Sequence, residues 1–226
     1  MVDSYLPRLR IVLPRKGESL EPQTLFDKPV RDVWLEVGFG AGEHLVSQAE
    51  AHRDVGFIGC EPFINGVAAV LSKVKARQLD NVRILDDDAR PLLAALVDAS
   101  VGRVFVLFSD PWPKARHNER RFISASTVDA VARILKDRGH LCFASDHMGY
   151  VRWALERVTA DRRFSWTARQ PADWRCRPED WFPTRYEAKA RARGAACAYL
   201  KFEREGRIGG RAPERKSLVR SGAEVI

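Results

Sequence analysis

A glycine-rich loop preceded by an acid is the first feature of the sequence that could do chemistry. Glu36 opens it, and Gly38, Gly40 and Gly42 follow a short apolar run. Glycines let the backbone turn tightly and approach a bound ligand closely. The dinucleotide fingerprint needs its third glycine at position 43, but Glu43 stands there and would repel a pyrophosphate at a helix N-terminus. The loop therefore favours S-adenosylmethionine, which carries a sulfonium and an ammonium and no phosphate.

Two further acids follow later apolar runs. Glu61 ends the second run, where a carboxylate can accept hydrogen bonds from both hydroxyls of a ribose. Asp88 follows the third run and is placed to contact an adenine edge, although it could instead serve the start of the helix at Pro91. Glu36 and Glu61 could likewise be solvated strand ends. Because the carboxyl ends of parallel strands form one crevice, we expect these acids to meet around the cofactor.

A proline-stiffened loop follows the fourth apolar run. It reads Ser-Asp-Pro-Trp-Pro-Lys from Ser109 to Lys114, and its rigidity would fix Asp110 and Trp112. A basic run comes directly afterwards and contains Arg116, His117, Asn118, Arg120 and Arg121. Guanidinium groups beside a cofactor crevice indicate a phosphate-bearing substrate. The alternative is a solvated helix start in which Glu119 offsets its neighbours.

Short apolar runs alternate with helical stretches from Val33 onward, which is typical of an α/β fold with a parallel sheet. The predicted strands are 33–37, 55–60, 82–85, 104–108 and 140–144, and the predicted helices lie near 43–52, 65–79, 91–98, 122–136 and 148–159. Asn65 is predicted to cap the second helix and Gly139 to end the fourth. A strand at 166–167 and a final strand at 195–202 predict a late hairpin that closes the sheet.

Length and composition suggest one domain with two basic extensions. The 226 residues fit one α/β domain, and the net charge of +8 favours a polyanionic partner. Four prolines and several basic residues predict an irregular arm over 1–32, the main domain spans 33–204, and 205–226 is predicted to be a largely disordered basic tail.

Membrane, secretory and metal-binding classes are not indicated. No apolar run approaches the roughly 18 to 20 residues that cross a bilayer, and no signal peptide opens the chain, so a cytoplasmic protein is expected. The four cysteines are scattered without a Cys-x-x-Cys pair, which predicts reduced thiols. His117 and His147 have no partners at ligand spacing, so no metal is predicted.

Two motifs together resemble one known family. The segments 35–42 and 110–118 closely resemble the tRNA (guanine-N7-)-methyltransferases, and the resemblance covers roughly residues 33–204. It implies transfer of a methyl group from S-adenosylmethionine to N7 of guanosine 46 in the tRNA variable loop. It also implies a Rossmann-like class I methyltransferase fold, with a mostly parallel seven-stranded sheet, helices on both faces and a late antiparallel hairpin.

The resemblance implies a role for each matched residue. The implied cofactor contacts are Glu36, Gly38, Gly40, Glu61, Asp88 and Asp110, and Asp110 is also the implied catalytic residue. The implied substrate contacts are Lys114, Asp146, Thr184, Arg185, Tyr186 and Glu187. The implied tRNA contacts are Arg116, His117, Asn118, Arg120 and Arg121. The chain departs from the family pattern at Ser109, where proline is usual, and at Pro62.

Several of these residues also have a purely structural interpretation. Thr184 and Glu187 are spaced as a capping box that opens a short helix, and Asp146 could cap the helix that follows it. Two other functions also remain open. One is a methyltransferase of the same fold that acts on a small molecule or a protein, and the other is an RNA-binding relative without catalysis. The sequence leaves the oligomeric state undetermined.

Overall fold

A seven-stranded β-sheet forms the centre of the protein in a computed structural model that describes residues 2–207. The strands are β1 (Asp32–Val37), β2 (Val55–Cys60), β3 (Val82–Leu85), β4 (Val101–Leu107), β5 (Leu135–Ser145), β6 (Phe164–Trp166) and β7 (Ala198–Arg204). Their order across the sheet is β3-β2-β1-β4-β5-β7-β6. The first five strands pair in parallel, whereas β7 is antiparallel to both β5 and β6. The predicted parallel sheet with a late antiparallel pair is confirmed.

Helices cover both faces of this sheet. They are α1 (Val2–Leu9), α2 (Glu43–Ala51), α3 (Ile64–Ala76), α4 (Ala89–Ala95), α5 (Ala125–Ile134), α6 (Met148–Ala160), α7 (Ala172–Arg175) and α8 (Arg185–Ala192). Two apolar cores result, because successive strand residues point to opposite faces. Trp34 of β1 packs in the core that includes α1, α2 and α3, while its neighbour Leu35 packs in the core that includes α4, α5 and α6.

The helix start predicted at Asn65 and the helix end predicted at Gly139 are both wrong. Helix α3 begins at Ile64 after Phe63 in the cap position, so Asn65 lies in the first turn and does not cap it. Helix α5 ends at Ile134, and Gly139 lies inside β5 instead. The pairing of β5 with β4 shifts register before His140, and a Cβ at Gly139 would lie 2.9 Å from the carbonyl oxygen of Gly102. Gly139 therefore permits close strand contact at an irregularity.

The sequence predicted an irregular N-terminal arm, but the first part of this arm is a helix. Residues 2–9 form α1 despite Pro7, because Leu6 and Leu9 are buried against the core beside α3. The chain then runs beside β3, where Arg10 forms an ion pair with Asp86 at 2.5 Å. Basic residues of this arm are thus partly used in internal contacts.

The predicted disordered tail falls mostly outside the described residues, which end at 207. Within them, the backbone amide of Glu205 donates to the carbonyl of Arg163 at 2.8 Å, and Arg207 forms an ion pair with Asp137.

No helix in the range 2–207 has the length and apolar character needed to cross a membrane. Over the same range, no cluster of three or more His, Cys, Asp or Glu side chains is arranged to hold a metal ion.

Candidate active site

A cavity of about 600 Å³ opens at the carboxyl ends of β1, β2 and β4. Its volume lies within the range of about 300 to 1,000 Å³ that is typical of small-molecule and cofactor sites. The predicted cofactor contacts that line it are Gly38, Gly40, Glu61, Asp88 and Asp110. The structure therefore brings five of the predicted residues together at the edge where α/β folds bind ligands.

The glycine loop needs its glycines because of both conformation and close approach. Gly38, Gly40 and Gly42 have φ values of +69°, +58° and +74°, which residues with a Cβ rarely adopt. A Cβ at Gly40 would also lie 3.1 Å from the ring of Tyr186, and a Cβ at Gly66 would lie 2.4 Å from the carbonyl oxygen of Gly40. Helix α3 and Tyr186 thus hold the loop on two sides.

Glu61 connects the end of β2 to the glycine loop. Its two carboxylate oxygens accept hydrogen bonds from the backbone amides of Gly40 at 2.8 Å and Phe63 at 3.0 Å. The side chain is buried yet lines the cavity. Because each carboxylate oxygen has a second lone pair, Glu61 is oriented by the protein and can still accept from a ligand.

Asp88 caps α4, as one of its two predicted roles requires, and it also lines the cavity. Its side chain caps α4 by accepting from the backbone amide of Arg90 at 2.8 Å, and it forms an ion pair with the Arg90 guanidinium at 2.5 Å. It nevertheless lines the cavity together with Asp87. The cap fixes the carboxylate at the cavity wall.

Glu36 does not line the cavity, unlike the other predicted acids. Its carboxylate is buried and lies 2.7 Å from Nδ1 of the buried His44. The ring of His44 packs edge-on against Phe105. Glu36 therefore joins β1 to α2 within the protein interior. Burial of this charged group is compensated by the imidazole partner.

Asp110 lies on a loop whose backbone is strained. Phe108 and Trp112, two residues on either side, have φ values of +51° and +41°. Such conformations cost about 1 to 3 kcal/mol each and persist where the surrounding structure enforces them. Asp110 itself is exposed and faces the cavity, with no hydrogen-bond or ion-pair partner within residues 2–207. Its carboxylate is therefore available to a ligand.

Arg121 has a different role from the phosphate contact that the sequence predicted. It is buried, its Nε donates to the carbonyl oxygen of Pro111 at 2.7 Å, and its Nη2 donates to that of Trp112 at 3.3 Å. The guanidinium also lies over the rings of Tyr150 and Trp153. Since it faces inward, Arg121 holds the strained loop in place. Its guanidinium does not face solvent as a phosphate contact requires.

The rest of the basic run remains near the surface around Trp112. The Arg120 guanidinium lies 5.0 Å from the centre of the Trp112 ring and lines the cavity, and His117 packs edge-on against the same ring. Lys114 and Arg116 are exposed, while Asn118 is half-buried. Four predicted tRNA contacts and Lys114 are therefore grouped beside Asp110, with only Arg121 turned inward.

Ser109, which stands where the family usually has proline, contacts a buried tyrosine. The Ser109 hydroxyl lies 3.5 Å from the hydroxyl of Tyr150, which accepts from the backbone amide of Ile123 at 3.2 Å. Burial raises the pKa of the Tyr150 phenol, so this hydroxyl stays protonated at neutral pH. Tyr150 thus supports the loop in two ways: its hydroxyl contacts Ser109, and its ring packs against the Arg121 guanidinium that holds the loop.

Glu187 is a structural centre more than an exposed contact. It is buried, and its Oε1 accepts from Arg177 at 2.8 Å, Arg191 at 3.0 Å and the Tyr199 hydroxyl at 2.8 Å. Thr184 caps α8 by accepting from the backbone amide of Glu187 at 3.1 Å. The predicted capping box is therefore half formed, because the Glu187 side chain is used elsewhere.

The other predicted substrate contacts lie in two places. Arg185 and Tyr186, at the start of α8, line the cofactor cavity. Asp146, at the end of β5, forms an ion pair with Arg193 at the end of α8 and does not cap α6, whose cap is His147.

Sequence reasoning missed Phe63, which lines the cavity with 70% of its surface exposed. An aromatic residue two positions after a strand-end acid is the signal that could have found it.

The strand order, the glycine loop and the acids at the strand ends define a class I methyltransferase. Solved structures agree on the fold. The 16S rRNA methyltransferase KamB is 15% identical with a TM-score of 0.56 and covers 87% of this chain and 99% of its own. An rRNA methylase from Streptococcus thermophilus is 12% identical with a TM-score of 0.53 and covers 77% of this chain and 87% of its own.

Sequence comparison identifies the family within that class. A family model described as "Putative methyltransferase" matches residues 30–200. The chain is 52% identical to the tRNA (guanine-N(7)-)-methyltransferase of Rhodospirillum rubrum, over 92% of this chain and 82% of that protein. It is 49% identical to the enzyme of that name from Paramagnetospirillum magneticum, over 92% of this chain and 87% of that protein. The chain belongs to the tRNA (guanine-N7-)-methyltransferase family, whose methyl donor is S-adenosylmethionine.

Replacing Glu61 by glutamine is expected to weaken binding of S-adenosylmethionine by about 1 to 3 kcal/mol. The amide keeps the shape but turns one acceptor oxygen into a donor, which faces the amide of Gly40 or Phe63. Titration calorimetry measures the effect. Asp54→Asn is the matched control, because Asp54 is an exposed carboxylate at the opposite edge of the sheet. Equal affinities for wild type and Glu61→Gln would remove Glu61 from the cofactor site.

Proposed function

We propose that this protein transfers the methyl group of S-adenosylmethionine to N7 of guanosine 46 in the tRNA variable loop. The position of Asp110 carries the proposal: it faces the cofactor cavity on one side and adjoins the exposed Lys114 and Arg116 and the cavity-lining Arg120 on the other. A carboxylate there suits guanine, and basic side chains beside it suit an RNA backbone. The relatives at 49% and 52% identity are named tRNA (guanine-N(7)-)-methyltransferases, which supports the same activity.

The chemistry demands placement more than proton transfer. Guanine N7 holds a free lone pair at neutral pH, so no strong base is needed to create the nucleophile. The bound cofactor supplies an activated methyl group on a sulfonium. The residues of this chain then orient the base, exclude water and hold N7 in line with the methyl group. Such positioning accelerates the reaction.

The roles proposed for individual residues follow from their places. Glu61, Asp88, Gly38 and Gly40 hold the cofactor, and Asp110 orients the guanine. Glu36 supports the glycine loop from within the protein. Lys114, Arg116, His117, Asn118 and Arg120 face the tRNA, and Asp146, Thr184, Arg185, Tyr186 and Glu187 form or support the remaining substrate surface. We further propose residues 33–204 as the catalytic domain, with cytoplasmic tRNA as its substrate.

The proposed function is tested by incubating the pure protein with S-adenosylmethionine labelled in its methyl group and unmodified tRNA. The label is expected as N7-methylguanosine at position 46, and a transcript with adenosine at 46 is expected to remain unlabelled. Label on another base would overturn the site, and label on a protein or small molecule with none on tRNA would favour the second methyltransferase hypothesis. Absence of cofactor binding would favour a non-catalytic relative.

Replacing Arg120 by alanine is expected to flatten the salt dependence of tRNA affinity by about one unit in the plot of log affinity against log salt. Each phosphate contact contributes about that much, because binding releases condensed counterions. Arg77→Ala is the control, since Arg77 follows α3 at the opposite edge of the sheet. Binding is measured between low and moderate salt. A slope equal to that of wild type would assign Arg120 to support of Trp112 alone.

A further inference from the structure

A second cavity of about 560 Å³ lies on the same edge of the sheet, between the start of α6 and the residues that precede β7. Its walls include Met148, Trp174, Cys197 and two alanines, and two guanidinium groups, those of Arg175 and Arg191, border it. No carboxylate lines it. The cavity is therefore mostly apolar with positive charge at its rim. None of the residues that line the first cavity, Asp110 included, lines this one.

The two arginines leave donors available. The Arg175 guanidinium lies 4.8 Å from the centre of the Trp174 ring, is exposed, and has no ion-pair partner within residues 2–207. Arg191 uses Nε for Glu187 and Nη2 for Tyr199, while Nη1 has no partner in the same part of the chain. An aromatic ring with a guanidinium on it offers a flat surface to a nucleobase, and arginine donors pair well with phosphate.

The location connects this cavity with the catalytic one. Helix α8 carries Arg185 and Tyr186 into the cofactor cavity and Arg191 into the second cavity. At about 1.5 Å per residue, Arg185 and Arg191 are separated by about 9 Å along the helix axis. Met148 begins α6, two residues after Asp146, which follows β5. A single strand whose target base enters the catalytic cavity would pass this second cavity within a short stretch of nucleotides.

We propose that the second cavity binds a nucleotide that flanks the methylated guanosine, with its base against the Trp174 and Arg175 pair and its phosphate at Arg175 and Arg191. This inference rests on the proposed function, because the ligand is a part of the same tRNA. The site would explain how a base is drawn out of a folded loop. Binding a neighbouring nucleotide outside the stack offsets part of the free-energy cost of unstacking the target base.

Trp174→Ala and Arg175→Ala test the proposal. Each is expected to raise the KM for tRNA about tenfold, because Trp174→Ala removes the ring on which the base stacks and Arg175→Ala removes a donor to the phosphate. The affinity for S-adenosylmethionine and the turnover at saturating tRNA are expected to stay near wild type. Arg169→Ala is the matched control, an exposed arginine in the same segment that does not border the cavity. Arg191 is not substituted, because it also binds Glu187.

Abasic tRNAs separate stacking from a general loss of charge. Abasic residues are placed in turn at the positions that flank the methylated guanosine. At the position that occupies the second cavity, the abasic residue should raise the KM of the wild type and have little further effect on the KM of Trp174→Ala. Normal KM values in both variants, or abasic effects that are equal in wild type and Trp174→Ala, would overturn the proposal. If wild type methylates no tRNA at all, the proposed function fails instead. Should Trp174→Ala misfold by circular dichroism, Arg175→Ala alone decides the outcome.

Discussion

Asp110→Asn is expected to lower turnover by at least about a hundredfold, which corresponds to roughly 2.7 kcal/mol in the activation barrier. A carboxylate at this position can accept from N1–H and the exocyclic amine of guanine, a pair of donors that adenine does not offer. The amide keeps the shape but replaces one acceptor with a donor, so one hydrogen bond is lost and a donor faces a donor. The base is then held out of line with the methyl group.

The fold and the affinity for tRNA should change little in this variant. Asp110 is exposed and has no partner within residues 2–207, so no internal contact is broken. Phosphate contacts supply most of the binding free energy. Single-turnover methylation is measured beside a melting curve, with Asp98→Asn as an exposed carboxylate control before β4. A folded Asp110→Asn protein with a near-normal rate would contradict the catalytic role, and a large drop in melting temperature would indicate a loop cap.

Arg121→Lys is expected to reduce turnover at least about tenfold although it preserves the positive charge. An ammonium cannot donate to Pro111 and Trp112 in a fixed fork while lying flat over Tyr150 and Trp153. The loop with positive φ at Trp112 then loses the contacts that enforce its conformation. Because Asp110 lies on that loop, its misplacement appears as lost turnover.

The salt dependence of tRNA binding distinguishes this positioning role from a phosphate contact. Arg121→Lys should retain the wild-type slope, whereas Arg120→Ala should flatten it. Arg121→Ala should in addition lower the free energy of unfolding by about 1 to 3 kcal/mol, since it leaves two part-buried carbonyl groups without a donor. Normal turnover together with a flatter salt dependence of tRNA affinity in the Arg121 variants would show that Arg121 contacts a tRNA phosphate instead.

Local sequence was sufficient for much of the fold. The five parallel strands were predicted from short apolar runs, because a strand buried on both faces is apolar along its whole length. The predicted boundaries of helices and strands were wrong where contacts between residues distant in sequence decided them. Gly139 was predicted to end a helix, but the close approach of Gly102 draws it into β5. Helix α1 formed despite Pro7 because burial of Leu6 and Leu9 outweighs a weak local preference.

The sequence by itself was enough to predict the class of ligand and the edge of the sheet that carries the cavity, since the glycine loop and the strand-end acids depend on local spacing. Tertiary structure decided which side chains line the cavity at that edge. Arg120 and Arg121 are adjacent and chemically identical, yet one lines the cavity and the other is buried under the loop. Glu36 and Glu61 both end strands, yet His44 holds one inside while the other lines the cavity. Partners distant in sequence set these orientations, and spacing along the chain does not encode them.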